Sequence, residues 1–375
     1  MFTESDRSAM ARALTLAERG LETTHPNPRV GCVIVRAGEI VGEGWHERAG
    51  EAHAEVNALR QAGEKAAGAT AYVTLEPCAH HGRTPPCVDA LVAARVARVV
   101  FAGEDPNPRV SGRGAQTLRR AGIEVYPGLL EAEAAELNPG FLKRMRTGRP
   151  WVRLKTAISL DGRTALASGA SQWITGAAAR EDAQHWRARS SAVLTGIGTV
   201  LADDPRLDVR LPEPAHGTKR PQPLRVVLDA GLRMPPTARM LATGASVLVL
   251  TAARGPASPA VESRRSRLLE RGAFVEELPV SADGARLDLA AVLDLLGRRE
   301  INELMVEAGP RLSGELLDRR LVDELLVYVA PKLLGPQARA LAELDPIQRL
   351  EDAREFTVTG IRQIGEDVRL TLRPR

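Results

Sequence analysis

The chain has 375 residues, 44% of them hydrophobic and 26% charged, proportions typical of globular proteins, and is long enough that two domains are expected rather than one core. Its net charge of +4 comes from arginine spread along the whole length, and aromatics make up only 3%. The absence of any block of about five or six like charges argues against a nucleic-acid arm, and the few aromatics argue against the stacking platforms of single-strand binders. Three cysteines are too few for a disulfide framework, and their spacing fits a metal site in a reducing compartment.

Residues 1–22 carry apolar residues at helical spacing among charges, which predicts an amphipathic helix and not a signal peptide. No apolar run reaches the ~18 residues of a membrane span, so a soluble, cytoplasmic protein is expected. Two prolines and an asparagine in "THPNPRVGCVIV" make a rigid turn before a buried strand, Val30 to Val35, which contains Cys32 as a small packed hydrophobe. Gly38 and Glu39 turn the chain into a second strand, Ile40 to Gly44. A helix opens at His53 and runs to about Glu64, holding Glu55 on its first turn. The strand Ala71 to Leu75 ends in Glu76-Pro77-Cys78, and Cys87 follows Pro85-Pro86 at the start of another helix. Strand-helix units follow at Val96 to Ala102 with a helix from Gly114, and at Ile123 to Tyr126 with a helix from Glu131. Such alternation implies an α/β sandwich with a largely parallel portion. The basic segment 142–150 reads as the exit of the first domain and the linker to the next.

The second half starts with a strand, Val152 to Ile158, and a tight hairpin turn at Asp161-Gly162. Helices are expected near 177–189, 260–271, 287–298 and 314–320. Strands are expected at 192–195, 225–228, 247–251, 305–307 and 324–329, with a closing hairpin of 356–361 and 368–372. The proline-rich stretches 211–223 and 253–260 read as surface loops.

His53, Cys78 and Cys87 offer one imidazole and two thiolates, three ligands for a tetrahedral zinc with a fourth position open for water. That is the arrangement of a catalytic zinc rather than a structural one. Glu55, two residues after the histidine, is placed to move protons without binding the metal. His-x-Glu followed by Pro-Cys and a second cysteine is the pattern of zinc deaminases acting on nucleobases. In that chemistry zinc lowers the pKa of water from 15.7 to about 7, and the glutamate carries the proton to a ring nitrogen before ammonia leaves. One detail departs from the pattern: eight residues, "AHHGRTPP", separate the cysteines, where two are usual. They read either as a solvated loop or as a grip for a phosphorylated substrate.

The stretches "HPNPRVGCVIV", "GEIVGEGWHERAGEAHAEVNAL", "AYVTLEPCAHHGRTPPC" and "DPNPRVSGRG" resemble the bacterial bifunctional deaminase/reductases of riboflavin biosynthesis. So do "LKTAISLDGRTA", "SQWITG", "TVLADDPRL", "VEAGPRLSGELL" and "YVAPKLLG" in the second half, so the resemblance covers essentially the whole chain. It implies an α/β chain: a cytidine-deaminase-like three-layer sandwich over 1–147, then a dihydrofolate-reductase-like α/β domain over 148–375. The implied reactions are deamination of a diaminopyrimidinone bearing a phosphoribosylamino group, then NADPH-dependent reduction of its ribosyl to a ribityl chain. Small phosphorylated pyrimidines are the implied partners, with no nucleic acid and no membrane, in a homo-oligomer, dimer or tetramer.

Residue by residue, the resemblance places zinc on His53, Cys78 and Cys87 and the proton shuttle on Glu55. It places the deaminase substrate on Asn27, His46, His80, Arg83, Asp105 and Asn107, although Asn27 and Asn107 equally suit a purely structural turn. In the reductase it places the substrate on Ser171, Arg187, Leu207, Arg210 and Glu307. Lys155 polarises or protonates the open-chain sugar, or else is a solvated strand lysine. The cofactor falls to Ala157, Trp173, Thr199 and Asp203. It also falls to Gly309, Pro310, Arg311, Leu312, Ser313, Gly314 and Glu315, where a helix N-terminus presents N–H groups to a phosphate. Glycines merely closing a turn are the other reading there. Asp229 is followed by Ala230, so no side-chain hydroxyl meets the cofactor at that place. The other enzyme reading is a nucleoside or RNA deaminase with a non-catalytic C-terminal domain, and a zinc-stabilised regulatory protein is the non-enzymatic one.

Overall fold

The computed structural model describes residues 2–79, 85–107, 111–213, 219–253, 258–281, 284 and 286–375. The chain forms two compact units, residues 1–148 with 213–221, and residues 149–212 with 222–375.

The first unit contains helices α1 (Glu4–Glu18), α2 (Ala54–Ala62), α3 (Cys87–Ala93), α4 (Arg113–Arg120), α5 (Glu131–Leu137) and α6 (Pro139–Thr147). Its strands are β1 (Gly31–Arg36), β2 (Glu39–Trp45), β3 (Thr70–Leu75), β4 (Arg98–Gly103) and β5 (Glu124–Pro127). They form one sheet of order β2-β1-β3-β4-β5, antiparallel across β2-β1-β3 and parallel across β3-β4-β5. Side chains alternate across a strand, and both faces are apolar here. Cys32, Ile34, Val73 and Phe101 pack under α2, α3 and α4. Val33, Tyr72, Val100 and Ala102 pack under α1 and α5. The result is a three-layer sandwich.

The second unit contains β6 (Trp151–Ser159), β7 (Arg163–Ala165), α7 (Ala177–Arg189), β8 (Ala192–Gly196), α8 (Ile197–Asp203), β9 (Leu224–Leu228), β10 (Val247–Ala252) and α9 (Pro259–Glu270). It continues through β11 (Phe274–Leu278), α10 (Leu289–Arg298), β12 (Glu303–Val306), α11 (Pro310–Asp318), β13 (Glu324–Ala330), β14 (Arg339–Ala340), β15 (Phe356–Ile364) and β16 (Asp367–Pro374). The large sheet runs β11-β10-β9-β8-β12-β6-β13-β16-β15. Neighbours from β11 to β13 are parallel, and the two strands beyond β13 are antiparallel. Helices α10 and α11 cover one face, while α7 and α9 contribute to the other. In a parallel sheet the strands' carboxyl ends and the following helix N-termini meet along one edge, where ligands of open α/β sheets bind.

Four local expectations need correction. The proposed linker 142–150 is largely helical, because α6 starts with Pro139 at its first turn and runs to a left-handed Gly148 cap, both favourable ends. The Asp161-Gly162 turn forms, with Gly162 N–H donating to Ser159 O, but β7 pairs with β14 and not with β6. The cause lies in Asp161, whose carboxylate accepts N–H groups from Leu334 and Gly335 and draws that distant segment in. The stretch 211–223 is not simply a surface loop. Arg220 is 9% exposed, donates to Glu22 at 2.6 Å, and belongs with the first unit. Finally α11 begins at Pro310, one turn before the expected 314, because proline suits a first helical position. Residues 214–218 and 254–257 of the two proline-rich stretches lie outside the described residues.

Candidate active sites in the two units

In the first unit, β3 ends at Leu75 and the chain passes through Glu76-Pro77 to Cys78. His53 is the N-cap of α2 and Cys87 the first residue of α3. The ligand atoms of His53, Cys78 and Cys87 all lie within 4.8 Å of one another. His53 Nδ1 is 3.1 Å from Cys87 Sγ and 3.7 Å from Cys78 Sγ. With Zn–S about 2.3 Å and Zn–N about 2.0–2.1 Å, a tetrahedral zinc requires an N···S separation of about 3.6 Å. The three residues therefore fit the metal with only small shifts. The Cys78 thiol is pushed down to about 4. The Cys87 side chain acts first, with His53 and the Cys87 N–H helping, so a thiolate stands ready there.

Glu55, on the first turn of α2, is 3% exposed. Burial pushes its carboxyl above the usual range, against the pull of the His53 charge. Asn27 Nδ2 lies 3.0 Å from His46 Nε2, and His46 Nδ1 lies 3.1 Å from the Ala52 carbonyl. The carbonyl needs a donor, so Nδ1 carries the hydrogen and Nε2 accepts from the amide. Burial first, and the His53 charge as well, push His46 down to about 4. Its ring stands 5.2 Å from that of His53, edge to face, so Asn27 and His46 form a neutral polar wall beside the metal ligands. Asp105 is near enough to feel the Cys78 charge, and burial pushes it up to about 6. Its Oδ1 accepts the Asn107 N–H at 2.8 Å, so this pair makes a local turn whatever else it touches. His80 and Arg83 lie outside the described residues.

Glu76 was not singled out as a site residue. It is 3% exposed and accepts backbone N–H groups from Gly112 at 3.0 Å and Ala115 at 3.1 Å. It thereby ties the start of α4 to the segment carrying Cys78. Gly114 completes the fit, since a Cβ there would lie 2.0 Å from the Pro77 carbonyl oxygen. The only sequence signal was an acidic residue just before Pro77-Cys78. Replacing Glu76 by Ala is expected to leave the buried Ala115 N–H unpaired at about 1–3 kcal/mol. Urea melts should show that loss, and the variant should give up zinc to a chelator sooner.

The second unit holds a cavity of about 1400 Å³ at the carboxyl ends of β6, β12, β8 and β9. Single-ligand pockets occupy roughly 300–1,000 Å³, so this one has room for a substrate and a cofactor together. Ten basic side chains and four carboxylates line it, which suits phosphorylated ligands. Ser171, Leu207, Arg210, Ala157, Trp173, Thr199 and Asp203 all reach its wall.

At its centre Arg187 Nε donates to Glu307 Oε1 at 2.9 Å and Nη2 to Oε2 at 3.0 Å. The remaining Arg187 Nη1 donates to the Asp208 carbonyl at 2.7 Å. These two residues engage each other, so a ligand meets a preformed ion pair. Lys155 Nζ stands 3.9 Å from Glu307 Oε2, with 19% of its side chain exposed. Burial pulls its pKa below the usual lysine value, and Arg187 adds to this, against Glu307. Arg210 donates to the Asp208 carboxylate at 2.5 Å.

The N-cap of α11, Gly309, supplies no side chain to the helix's first N–H groups. A Cβ on Gly309 would meet nothing within 4 Å, so those donors face open cavity, as a dinucleotide phosphate requires. Pro310, Arg311, Leu312 and Glu315 share that wall, whereas Ser313 and Gly314 do not. Ser313 is 2% exposed and its N–H bonds Gly309 O. A Cβ on Gly314 would lie 1.8 Å from Glu343 O. Contiguity in sequence placed these two on the cofactor, but the helical turn carries them to the packed side. Gly314→Ala is accordingly expected to cost about 1–3 kcal/mol through overpacking, readable in a thermal melt.

Residues 3–103 match the cytidine and deoxycytidylate deaminase zinc-binding region, and residues 150–370 match the RibD C-terminal domain. The chain is 53% identical over 374 residues to the riboflavin biosynthesis protein RibD of Escherichia coli, covering 98% of this chain and 99% of that one. The solved structure of Acinetobacter baumannii RibD (form 1) superposes with a TM-score of 0.91 at 49% identity, over 99% of both chains. A Thermotoga maritima structure described as a diaminohydroxyphosphoribosylaminopyrimidine deaminase/5-amino-6-(5-phosphoribosylamino)uracil reductase superposes at 0.84, with 33% identity over 99% of both. The chain, with its zinc-fitted first unit and its basic cavity in the second, belongs to the RibD family of riboflavin biosynthesis proteins.

Proposed function

We propose that the chain carries out two consecutive steps of riboflavin biosynthesis. The first is hydrolytic deamination of 2,5-diamino-6-(5-phosphoribosylamino)pyrimidin-4(3H)-one to 5-amino-6-(5-phosphoribosylamino)uracil. The second is NADPH-dependent reduction of the ribosyl group to the ribityl chain. The deaminase is assigned to residues 1–147, joined by the 213–221 segment, and the reductase to the remainder from 148. The observation that carries the reading is the convergence of His53, Cys78 and Cys87 around a zinc-sized space beside buried Glu55.

His53, Cys78 and Cys87 would hold zinc, which when bound would supply Lewis-acid activation of a water at neutral pH. Glu55 then carries protons: it takes one from that water, gives it to a ring nitrogen, and assists ammonia to leave. Its raised pKa favours this, since a carboxyl that both accepts and donates works best when poised toward the working pH. Asn27 meets the base with its amide oxygen and remaining N–H, held in place by His46, whose two ring nitrogens are taken by Asn27 and Ala52, and His80 and Arg83 grip the phosphorylated substrate.

The N-terminus of α11 would hold the pyrophosphate of NADPH, which when bound would supply the hydride of the second step. Lys155 polarises or protonates the open-chain sugar, while Arg187, Arg210 and Ser171 hold the phosphoribosyl group and Glu307 sets the charge of Lys155. The overall balance is one water in and one ammonia out, then one NADPH and one proton consumed.

The protein is read as cytoplasmic and as a homo-oligomer, dimer or tetramer. Among the described residues no helix is long and apolar enough to cross a membrane, and all three cysteines are free thiols. Chelation tests the two-site reading. Metal removal should abolish ammonia release yet leave NADPH oxidation intact when the deaminated intermediate is supplied. Loss of both activities would contradict independent chemistries.

A further inference from the structure

One stretch of the cavity wall in the second unit takes its shape from side chains that reach its backbone. Residues 171–175, between β7 and α7, all line the cavity, and Ser171 and Trp173 are among them. Lys332 Nζ donates to the Trp173 carbonyl at 3.1 Å and to the Ile174 carbonyl at 2.7 Å. Arg180 Nη1 donates to the next carbonyl, that of Thr175, at 2.8 Å, and its guanidinium lies 4.5 Å over the Trp173 ring. Where the wall passes into α7, the Gly176 N–H donates to Asp367 Oδ2 at 2.7 Å. Backbone groups outside helices and strands need such partners to hold one conformation.

Arg180 belongs to α7 itself, so its bond is local. Lys332 comes from 158 positions beyond Ile174, and it stands on anchored backbone two residues past β13. Its N–H donates to the Ala330 carbonyl at 2.8 Å, and its own carbonyl accepts the Leu160 N–H at 2.8 Å. The Asp161 carboxylate accepts the N–H groups of Leu334 at 3.1 Å and Gly335 at 2.8 Å. The segment 330–335 is thus tied to the end of β6, the strand that carries Lys155.

Lys332 is exposed, and an exposed lysine ordinarily keeps its ammonium in water. Here two of its three donors are spent on adjacent carbonyls, the use an ammonium has when it fixes a backbone rather than meets solvent. Its side chain is not part of the cavity lining, so it acts on bound ligands only through the backbone it holds.

We propose that Lys332 is a positioning residue of the reductase: it clamps the Trp173 and Ile174 carbonyls to the segment tied to β6, and so holds Ser171 and Trp173 in fixed relation to Lys155. The proposal rests on the reading of this cavity as the reductase site. A wall already in place spares the ligands the cost of ordering it on binding. Loss of the clamp therefore shows in KM rather than in the chemical step.

Kinetics of the full-length protein, supplied with the deaminated intermediate and NADPH, test it. Lys332→Met should raise KM for both by about 10-fold, the lower end of what hydrogen bonds to a charged group contribute, with kcat little changed. Lys332→Arg should restore most of the loss, since a guanidinium fork carries donors enough for both carbonyls. A fall in kcat at constant KM, unchanged kinetics, or an arginine variant no better than the methionine one would overturn the assignment. Hydrogen exchange reads the wall without turnover. The amides of residues 171–176 should exchange faster in Lys332→Met while those of β6 and β13 keep their wild-type rates. Unchanged exchange over 171–176, or faster exchange that spreads through β6 and β13, would likewise overturn it. Wild-type protein that oxidises no NADPH would instead refute the reductase reading, and the exchange rates would still decide whether Lys332 holds the wall.

Discussion

Glu55→Gln is expected to cut ammonia release by about 10²–10⁴-fold, the usual worth of a positioned general acid–base, while zinc content stays at the wild-type level. The amide keeps the shape of the side chain but neither accepts nor delivers a proton. Glu55 sits two residues from a ligand and within hydrogen-bond reach of Cys87, so a ligand role must be separated from a proton-carrying one. Metal analysis does so. Full zinc with lost turnover supports the shuttle, whereas loss of zinc in step with activity would make Glu55 part of the metal site. Reduction of the pre-deaminated intermediate serves as the internal control and should be unaffected.

Lys155→Met should lower NADPH oxidation by a similar factor of about 10²–10⁴, with ammonia release and NADPH binding unchanged. The pH profile carries more information than the loss. Burial and the Arg187 charge lower the Lys155 pKa, and Glu307 raises it. A step that needs the ammonium runs fully below that lowered pKa and fades as pH rises through it. The alkaline limb of reductase kcat should therefore lie below the ordinary lysine range. Glu307→Gln removes the raising influence and should move the limb to still lower pH. A limb that stays in place in Glu307→Gln would show that another group titrates.

The clustering of His53, Cys78 and Cys87 was legible because candidate metal sites announce themselves in residue type and short spacing. His53 and Glu55 share one helix start, and Cys78 and Cys87 bracket one loop, so little tertiary knowledge was needed. The sheet of that unit was equally readable, since Cys32-Val33-Ile34 and Val99-Val100-Phe101 are apolar on both faces. Long-range pairing was not legible. Arg187 and Glu307 stand 120 positions apart, and nothing in either neighbourhood says that each would engage the other before any substrate arrived. The same holds for Asp161, whose hold on Leu334 and Gly335 diverts β7 away from β6. Glu76 escaped notice because its partners are backbone N–H groups, which every sequence has. The α11 segment shows a subtler limit: a contiguous run from Gly309 to Glu315 looked like one binding surface, yet helical rotation faces Ser313 and Gly314 inward.

The concentration of arginine in the reductase cavity gives the chain's modest positive charge a local purpose. Composition pointed away from nucleic acid because the charges form no run in sequence. They gather only in the fold, around a space sized for two small phosphorylated ligands, where Arg187, Arg210, Arg233 and Arg239 come from separate elements.

The most direct measurement supplies purified protein with the diaminopyrimidinone substrate and follows ammonia and NADPH together. Ammonia should appear without NADPH, and added NADPH should then be oxidised only after deamination, one equivalent per ammonia released. Ammonia release with NADPH never consumed, or NADPH oxidised before any ammonia appears, would contradict two ordered steps on one chain.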